Sequence, residues 1–234
     1  MNKGLNAFKK GIILVLILAV PGFLYYLLTV GGKNRYKPLP FFGPKQVART
    51  GHTFHGKYIP DTIYHTLPQF KLVDQNGTQV DSQSFGKHIT VVNFFYTQCP
   101  AACIRVCDYM DSLAVNYAKN KLVHFVTITV DPEHDDTAAL KAFAKRYRFG
   151  TDKWQFLTGD TSQIYQLARN GFLTNAVKTG KQSFNFSNEM IMIDPERRIR
   201  GRYTGGSIND VMRLNDELKV QIAEELRKIK APEM

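Results

Sequence analysis

Cys99-Pro100-Ala101-Ala102-Cys103-Ile104-Arg105-Val106-Cys107 gathers all three cysteines of the 234-residue chain into nine positions. Thiolate sulfur does two kinds of chemistry: it attacks disulfides, and it binds soft metal ions. The setting favours thiolate. Cys99 follows the apolar run Ile89–Tyr96 (ITVVNFFY), which reads as a strand buried on both faces, and Cys103 falls in the first turn of the helix predicted over Ala101–Ala118. A helix N-terminus carries partial positive charge and unpaired N–H groups, and both stabilise an anionic sulfur. Cys107 reads differently. Four residues after Cys103, it lies on the apolar stripe that continues through Met110, Leu113, Ala114 and Tyr117. There a free cysteine packs as a small hydrophobe rather than serving as a third ligand or a resolving thiol. Plainer readings of Cys99 and Cys103 are a static disulfide or two incidental cysteines. Their place on a strand-to-helix loop speaks against both, because reactive groups of open α/β sheets gather at the carboxyl ends of strands.

The elements that must position these sulfurs are legible as alternating patterns. Phe70–Val73 and Thr78–Val80 flank Asp74-Gln75-Asn76-Gly77, a hairpin signal. Leu122–Val130 reads as a second buried strand, Thr137–Tyr147 as a helix and Ser162–Ala168 as a short one. Met190–Ile193 and Ile199–Tyr203 read as strands joined around Asp194-Pro195, and a final helix runs from about Ile208 to Ile229, capped by Ser207. Strands alternating with helices imply an α/β sheet, largely parallel at its centre.

The N-terminus is different in kind. Ile12–Val30 is nineteen residues without a charge, bracketed by Lys9-Lys10 and Lys33. At about 1.5 Å per residue such a helix nearly spans a hydrocarbon core of about 30 Å, which points to an uncleaved membrane anchor. A cleaved signal fits less well, because the apolar run is long and no small-x-small site ends it. The organisation expected is a basic tail over 1–11, an anchor over 12–30, a Gly/Pro/Lys/His-rich linker over 31–65, and a folded domain over 66–230. The net charge of +11 belongs to the N-terminal part: residues 1–60 hold nine Lys/Arg and no acid, whereas the rest carries 22 basic against 20 acidic side chains. A nearly neutral body argues against a nucleic-acid partner.

At this point the residues resemble the Sco/SenC family. Phe94-Phe95-Tyr96-Thr97-Gln98-Cys99-Pro100-Ala101-Ala102-Cys103 is similar to its F-F-x-T-x-C-P-x-x-C segment. Val130–Thr137 (VDPEHDDT) resembles its V-D-P-E-x-D-T stretch with one extra residue, and Trp154–Gly159 resembles its W-x-x-L-T-G. The similarity covers about residues 65–225. It implies a thioredoxin-like fold, a central mixed sheet flanked by helices, tethered by one N-terminal transmembrane helix on the periplasmic or mitochondrial intermembrane side. It further implies a copper chaperone or a reductant of cysteines in assembly of the binuclear copper centre of cytochrome c oxidase. Partners would be the oxidase's copper-site subunit or another cysteine-containing exported protein. In the family two cysteines and a distal histidine bind copper; Cys99 and Cys103 match the cysteines.

The histidine has no match. Its position, nine residues before Pro195, holds Phe186, and His134 is the last histidine in the chain. Two thiolates suffice for linear Cu(I), whereas Cu(II) prefers imidazole in a tetragonal site, so Cu(I) is favoured over Cu(II). The pair could also work without metal as a dithiol/disulfide couple. His134 is a possible third ligand, because its loop and the cysteine loop should emerge at the same end of the sheet. In its acidic surroundings it also reads as a solvated side chain. Glu189, Met190 and Met192 lie near the missing position, with core packing expected for at least one methionine. His52, His55, His65, His88 and His124 have no spacing that suggests a site. The competing functions are therefore Cu(I) handling, a metal-independent membrane-tethered thiol–disulfide oxidoreductase, a binding module with a permanent disulfide, and, weakest, a peroxidase.

Overall fold

The computed structural model describes residues 3–27, 38–148, 153–180 and 183–230. It divides into two units, Met1–Lys37 and Pro38–Met234. In the first, helix α1 (Lys3–Tyr26) carries Pro21 and exposes its apolar side chains from Ile13 onward. No helix among the described residues is long and apolar enough to cross a membrane. The uncharged run expected as an anchor continues to Val30, and its residues 28–30, like the first linker residues 31–37, lie outside the described residues.

The second unit begins with β1 (Lys45–Phe54) and β2 (Lys57–Tyr64), an antiparallel ribbon. This differs from the linker expected over 31–65. The ribbon is exposed on both faces, so nothing demanded the apolar–polar alternation by which strands are read. Its two-residue loop, His55-Gly56, has positive φ at both positions, +48° and +76°, as a tight hairpin requires. Ahead of it, Leu39 is buried in the core and Phe42 bridges to Ile199.

The main sheet comprises β3 (Lys71–Asp74), β4 (Gln79–Asp81), β5 (Ile89–Phe95), β6 (Val123–Thr129), β7 (Trp154–Thr158), β10 (Glu189–Ile193) and β11 (Ile199–Thr204), in the order β11-β10-β5-β6-β7-β3-β4. The central β5, β6 and β7 are parallel, and β10 and β3 flank them antiparallel. The sheet is therefore mixed, parallel at its centre as the alternation of elements implied. All seven residues of β5 are buried. Val91 and Phe95 face one core cluster, with the helices α3 (Ala101–Asn116), α4 (Thr137–Ala144) and α6 (Ile208–Lys230). Val92 and Phe94 face the other, with Leu67, Phe70, Ile164 and Phe172. The sequence reading missed β7, the short helix α2 (Ser82–Phe85), and the ribbon formed by β8 (Ala176–Lys178) and β9 (Phe184–Phe186). The short ribbon strands offer no periodicity to read. α5 (Thr161–Gln166) runs on into a π turn, Leu167–Gly171.

Candidate functional site

The register of β5 and β6, from Ile89 beside Val123 to Phe95 beside Thr129, brings their carboxyl ends out together. The chain leaving β5 turns at once, with the Cys99 N–H donating to the Tyr96 carbonyl at 3.1 Å, and enters α3. Helices α2, α4 and α5 are each capped by an aspartate side chain, and the Ser207 hydroxyl accepts from Asp210 N–H at the start of α6. α3 is not capped this way: its N-cap is Pro100, with no side-chain hydrogen bond. The positive end of the cysteine-bearing helix is thus left to the sulfurs.

There Cys99 and Cys103 form a disulfide, with Cα atoms 6.0 Å apart. Both residues are largely covered, Cys99 at 8% exposure and Cys103 at 4%, while Gln98, Pro100, Ala101 and Ala102 around them are exposed. The expected pair is brought together, and approach to it is better from the Cys99 side. Cys107 is fully buried and free of any disulfide. Burial pushes its thiol up to about 12, against a weak contact from Asn93 Nδ2 at 4.0 Å. It is a protonated core residue at neutral pH, as its place on the apolar stripe implied.

A carboxylate holds the cysteine loop from below. Asp135 accepts from Thr97 N–H at 2.9 Å, from the Thr97 hydroxyl at 2.5 Å and from the Thr129 hydroxyl at 2.5 Å. It joins the exits of β5 and β6, and burial holds its carboxyl above the usual range despite these donors. On the other side, Asn188 Nδ2 donates to the Ala102 carbonyl at 3.2 Å, and a side chain at Gly205 would collide with Val106 of α3. Sequence reasoning did not single out Asp135, Thr97 or Asn188. An acidic side chain just past a buried strand and opposite Thr97 was the available signal, and it becomes visible only once the strand register is known.

His134 lies in the same loop as Asp135, but its Nδ1 is 2.8 Å from Asp131, and its ring is half exposed. Among the described residues no three His, Cys, Asp or Glu side chains are grouped to hold a metal ion, so His134 is not assembled with Cys99 and Cys103. Glu189 pairs with Arg202 at 2.7 Å, and Met190 and Met192 are both fully buried in the core. Phe186, at the position of the family's histidine, packs instead among aromatics: its ring lies 6.1 Å and that of Phe184 5.0 Å from Tyr96, at the exit of β5. A salt bridge from Lys178 to Glu133 at 2.5 Å ties this ribbon to the loop after β6. The chemical inventory is two sulfurs and no imidazole, enough for a two-electron dithiol couple or for two-coordinate Cu(I).

A mixed sheet flanked by helices, with a bonded cysteine pair where its central strand gives way to a helix, defines a thioredoxin-like domain. The chain belongs to the SCO1/SenC family, whose sequence model matches residues 61–220. The SCO1 protein homolog of Bacillus subtilis (strain 168) is 28% identical over 153 residues, covering 64% of this chain and 79% of that relative. BsSco, described as carrying a disulfide switch and as a member of the Sco family of cytochrome c oxidase assembly proteins, is a structural neighbour. It has a TM-score of 0.59 and 25% identity over 68% of this chain and 94% of its own. Arabidopsis thaliana ScoI, solved with copper bound, gives a TM-score of 0.58 and 25% identity over 67% and 98% of the two chains.

Proposed function

We propose that this protein is a Sco-type assembly factor for the binuclear copper site of cytochrome c oxidase, handling Cu(I), thiol redox or both through Cys99 and Cys103. The observation that carries the reading is the Cys99–Cys103 pair itself, close enough to bond, at the uncapped start of α3. Relatives with bound copper support copper as the cargo. An external dithiol reductant, itself oxidised to a disulfide, supplies the two electrons and two protons that open the bond to two thiols. Cu(I) then takes both sulfurs as thiolates and releases the protons, a linear arrangement that soft d¹⁰ copper accepts. In exchange with another protein, a partner thiolate attacks Cys99, the less covered residue of the pair. The S–S bond breaks and Cys103 leaves as a thiolate beside the positive end of α3. The uncharged run over residues 12–30 supports tethering by one membrane helix; the periplasmic or intermembrane side of the domain rests on the family resemblance alone.

One observation favours a second reading, a tethered thiol–disulfide oxidoreductase that needs no metal: Phe186 stands where the third copper ligand would be, with no three-ligand cluster among the described residues. Anaerobic Cu(I) competition titration of the reduced chain separates the two. The copper reading expects one Cu(I), lost in Cys99→Ala and in Cys103→Ala and kept in Cys107→Ala. Equal loss in Cys107→Ala would overturn the assignment of the pair. Absence of tight Cu(I) binding, with rapid disulfide exchange against a cysteine-containing peptide, would select the oxidoreductase.

A further inference from the structure

The β1–β2 ribbon leaves the domain with both of its ends held. At the base, Phe42 N–H donates to the Ile199 carbonyl at 3.0 Å, the Phe41 and Tyr64 rings stack 4.0 Å apart, and His65 Nε2 lies 2.7 Å from the Gly171 carbonyl. Beyond that base every residue from His52 to Ile63 is exposed. Two strands with neither face covered are marginal in water. This pair nevertheless keeps large apolar side chains in the open, Val47 at 75% exposure, Phe54 at 59%, Tyr58 at 61% and Ile63 at 54%. A ribbon of that composition calls for a surface to lie against.

The register distinguishes the two faces. Phe54 stands across from Lys57 and His52 across from Ile59, so alternation along β2 puts Phe54, Lys57, Ile59 and Ile63 on one face. The other face is partly closed by the ribbon's own groups. There the Tyr58 ring lies over Gly51, where a Cβ would come within 2.6 Å of it, and the Tyr58 hydroxyl donates to the Arg49 carbonyl at 3.4 Å. Lys45 sits over the Tyr64 ring on the same side. The Phe54 face keeps its apolar side chains outward, with Asp61, between Ile59 and Ile63 along the strand, 3.2 Å from His52 Nδ1.

Charge says what that face meets. From Lys33 to Pro60 the chain holds six Lys/Arg and no Asp or Glu, and the ribbon itself carries Lys45, Arg49 and Lys57 against the single acid Asp61. Lys57 flanks Phe54 at the tip, and Arg49 lies in the bulge between Val47 and Gly51. Cations interleaved with exposed rings and aliphatic side chains match a bilayer interface, where the charges meet anionic headgroups and the apolar groups reach the acyl boundary. Chain length agrees. Fourteen residues, 31–44, join the uncharged run to Lys45, a reach of at most about 50 Å. We infer that the Phe54 face of the β1–β2 ribbon docks on an anionic lipid surface. The inference rests on the membrane tether proposed for residues 12–30, and it adds to that tether a second contact weakened by salt.

The test is brominated-lipid quenching of Phe54→Trp, in the full chain reconstituted into phosphatidylcholine vesicles with and without phosphatidylglycerol. Trp154 is buried in the core, and the parent chain supplies its background. With phosphatidylglycerol the introduced indole should shift to the blue and lose about half its intensity to the bromines. Phosphatidylcholine alone, or Arg49→Glu combined with Lys57→Glu, should leave it with the emission of a solvated indole; all three substituted positions are exposed. An indole unquenched with phosphatidylglycerol, or quenched equally in the charge-reversed chain or in phosphatidylcholine alone, overturns the inference. A blue shift without quenching, the mark of a second copy or another protein surface over the ribbon, overturns it too. An alkaline carbonate wash reads the tether separately. Release of the chain overturns the membrane anchor, whereas a retained chain with an unquenched indole overturns the ribbon's docking alone.

Discussion

Asp135 is the side chain whose removal should be felt most at the cysteine loop. Substitution by alanine strands the Thr97 backbone N–H and removes the acceptor of two hydroxyls, three hydrogen bonds at 2.9, 2.5 and 2.5 Å in a buried setting. At about 1 kcal/mol each, with the orphaned N–H at the upper end, the loss is about 3 kcal/mol. Asparagine should be far milder. Its oxygen can take the place of Oδ2, which accepts from Thr97 N–H and the Thr129 hydroxyl, while its NH₂ donates to the Thr97 hydroxyl. The cost expected is about 1 kcal/mol or less. Asparagine also changes the pH response. Burial raises the Asp135 pKa in the folded state, so the folded chain keeps a proton that the unfolded chain has released. The stability tied to that proton is fully present below the unfolded carboxyl pKa of about 3.9 and is lost as pH rises through the raised folded value. This decline should be absent in Asp135→Asn. Urea unfolding of the full chain in detergent, without reductant, can follow Trp154, the one tryptophan and fully buried. With a slope of about 2–3 kcal/mol per molar, Asp135→Ala should lower the midpoint by about 1 M or slightly more. An alanine variant within about 0.5 kcal/mol of the parent, or an asparagine variant as damaged as alanine, would refute the clamp.

Two further outcomes follow from the site. The Cys107 thiol, raised from an ordinary 9.0 to about 12, should hold about a thousandfold less thiolate than an exposed cysteine at the same pH. Its reaction with a disulfide reagent in the folded, reduced chain should be slower by about that factor than that of a small thiol, and equal rates would show the residue to be accessible. Phe186→His should create a stable thiolate-to-Cu(II) charge-transfer band that the parent lacks. Absence of the band would mean that the ribbon does not present this position to the cysteines.

The fold was legible where burial on both sides makes a run continuous. Ile89–Phe95 and Val123–Thr129 announced themselves, and the helix after Cys99 carried its stripe openly. The β1–β2 ribbon was not legible, because strands exposed on both faces obey no alternation, and β8–β9 is too short to show one. The cysteine pair could be read because its chemistry and its neighbours are local in sequence. What surrounds it could not. Asp135 reaches Thr97 across 38 residues, and Asn188 reaches Ala102 across 86. Both contacts depend on which strand lies beside which, and no local pattern encodes that.

The ring closed by the Cys99–Cys103 bond has a consequence for the whole molecule. It encloses only three intervening residues, so by loop-closure entropy it holds back the unfolded chain by about 2 kcal/mol, near the bottom of what cross-links contribute. Cys99 and Cys103 are two members of a large buried cluster that also holds Phe95, Met110, Phe143 and Phe156. Opening the bond is therefore expected to leave the architecture standing. On the redox reading proposed above, the domain is expected to give or take its electron pair while it stays folded.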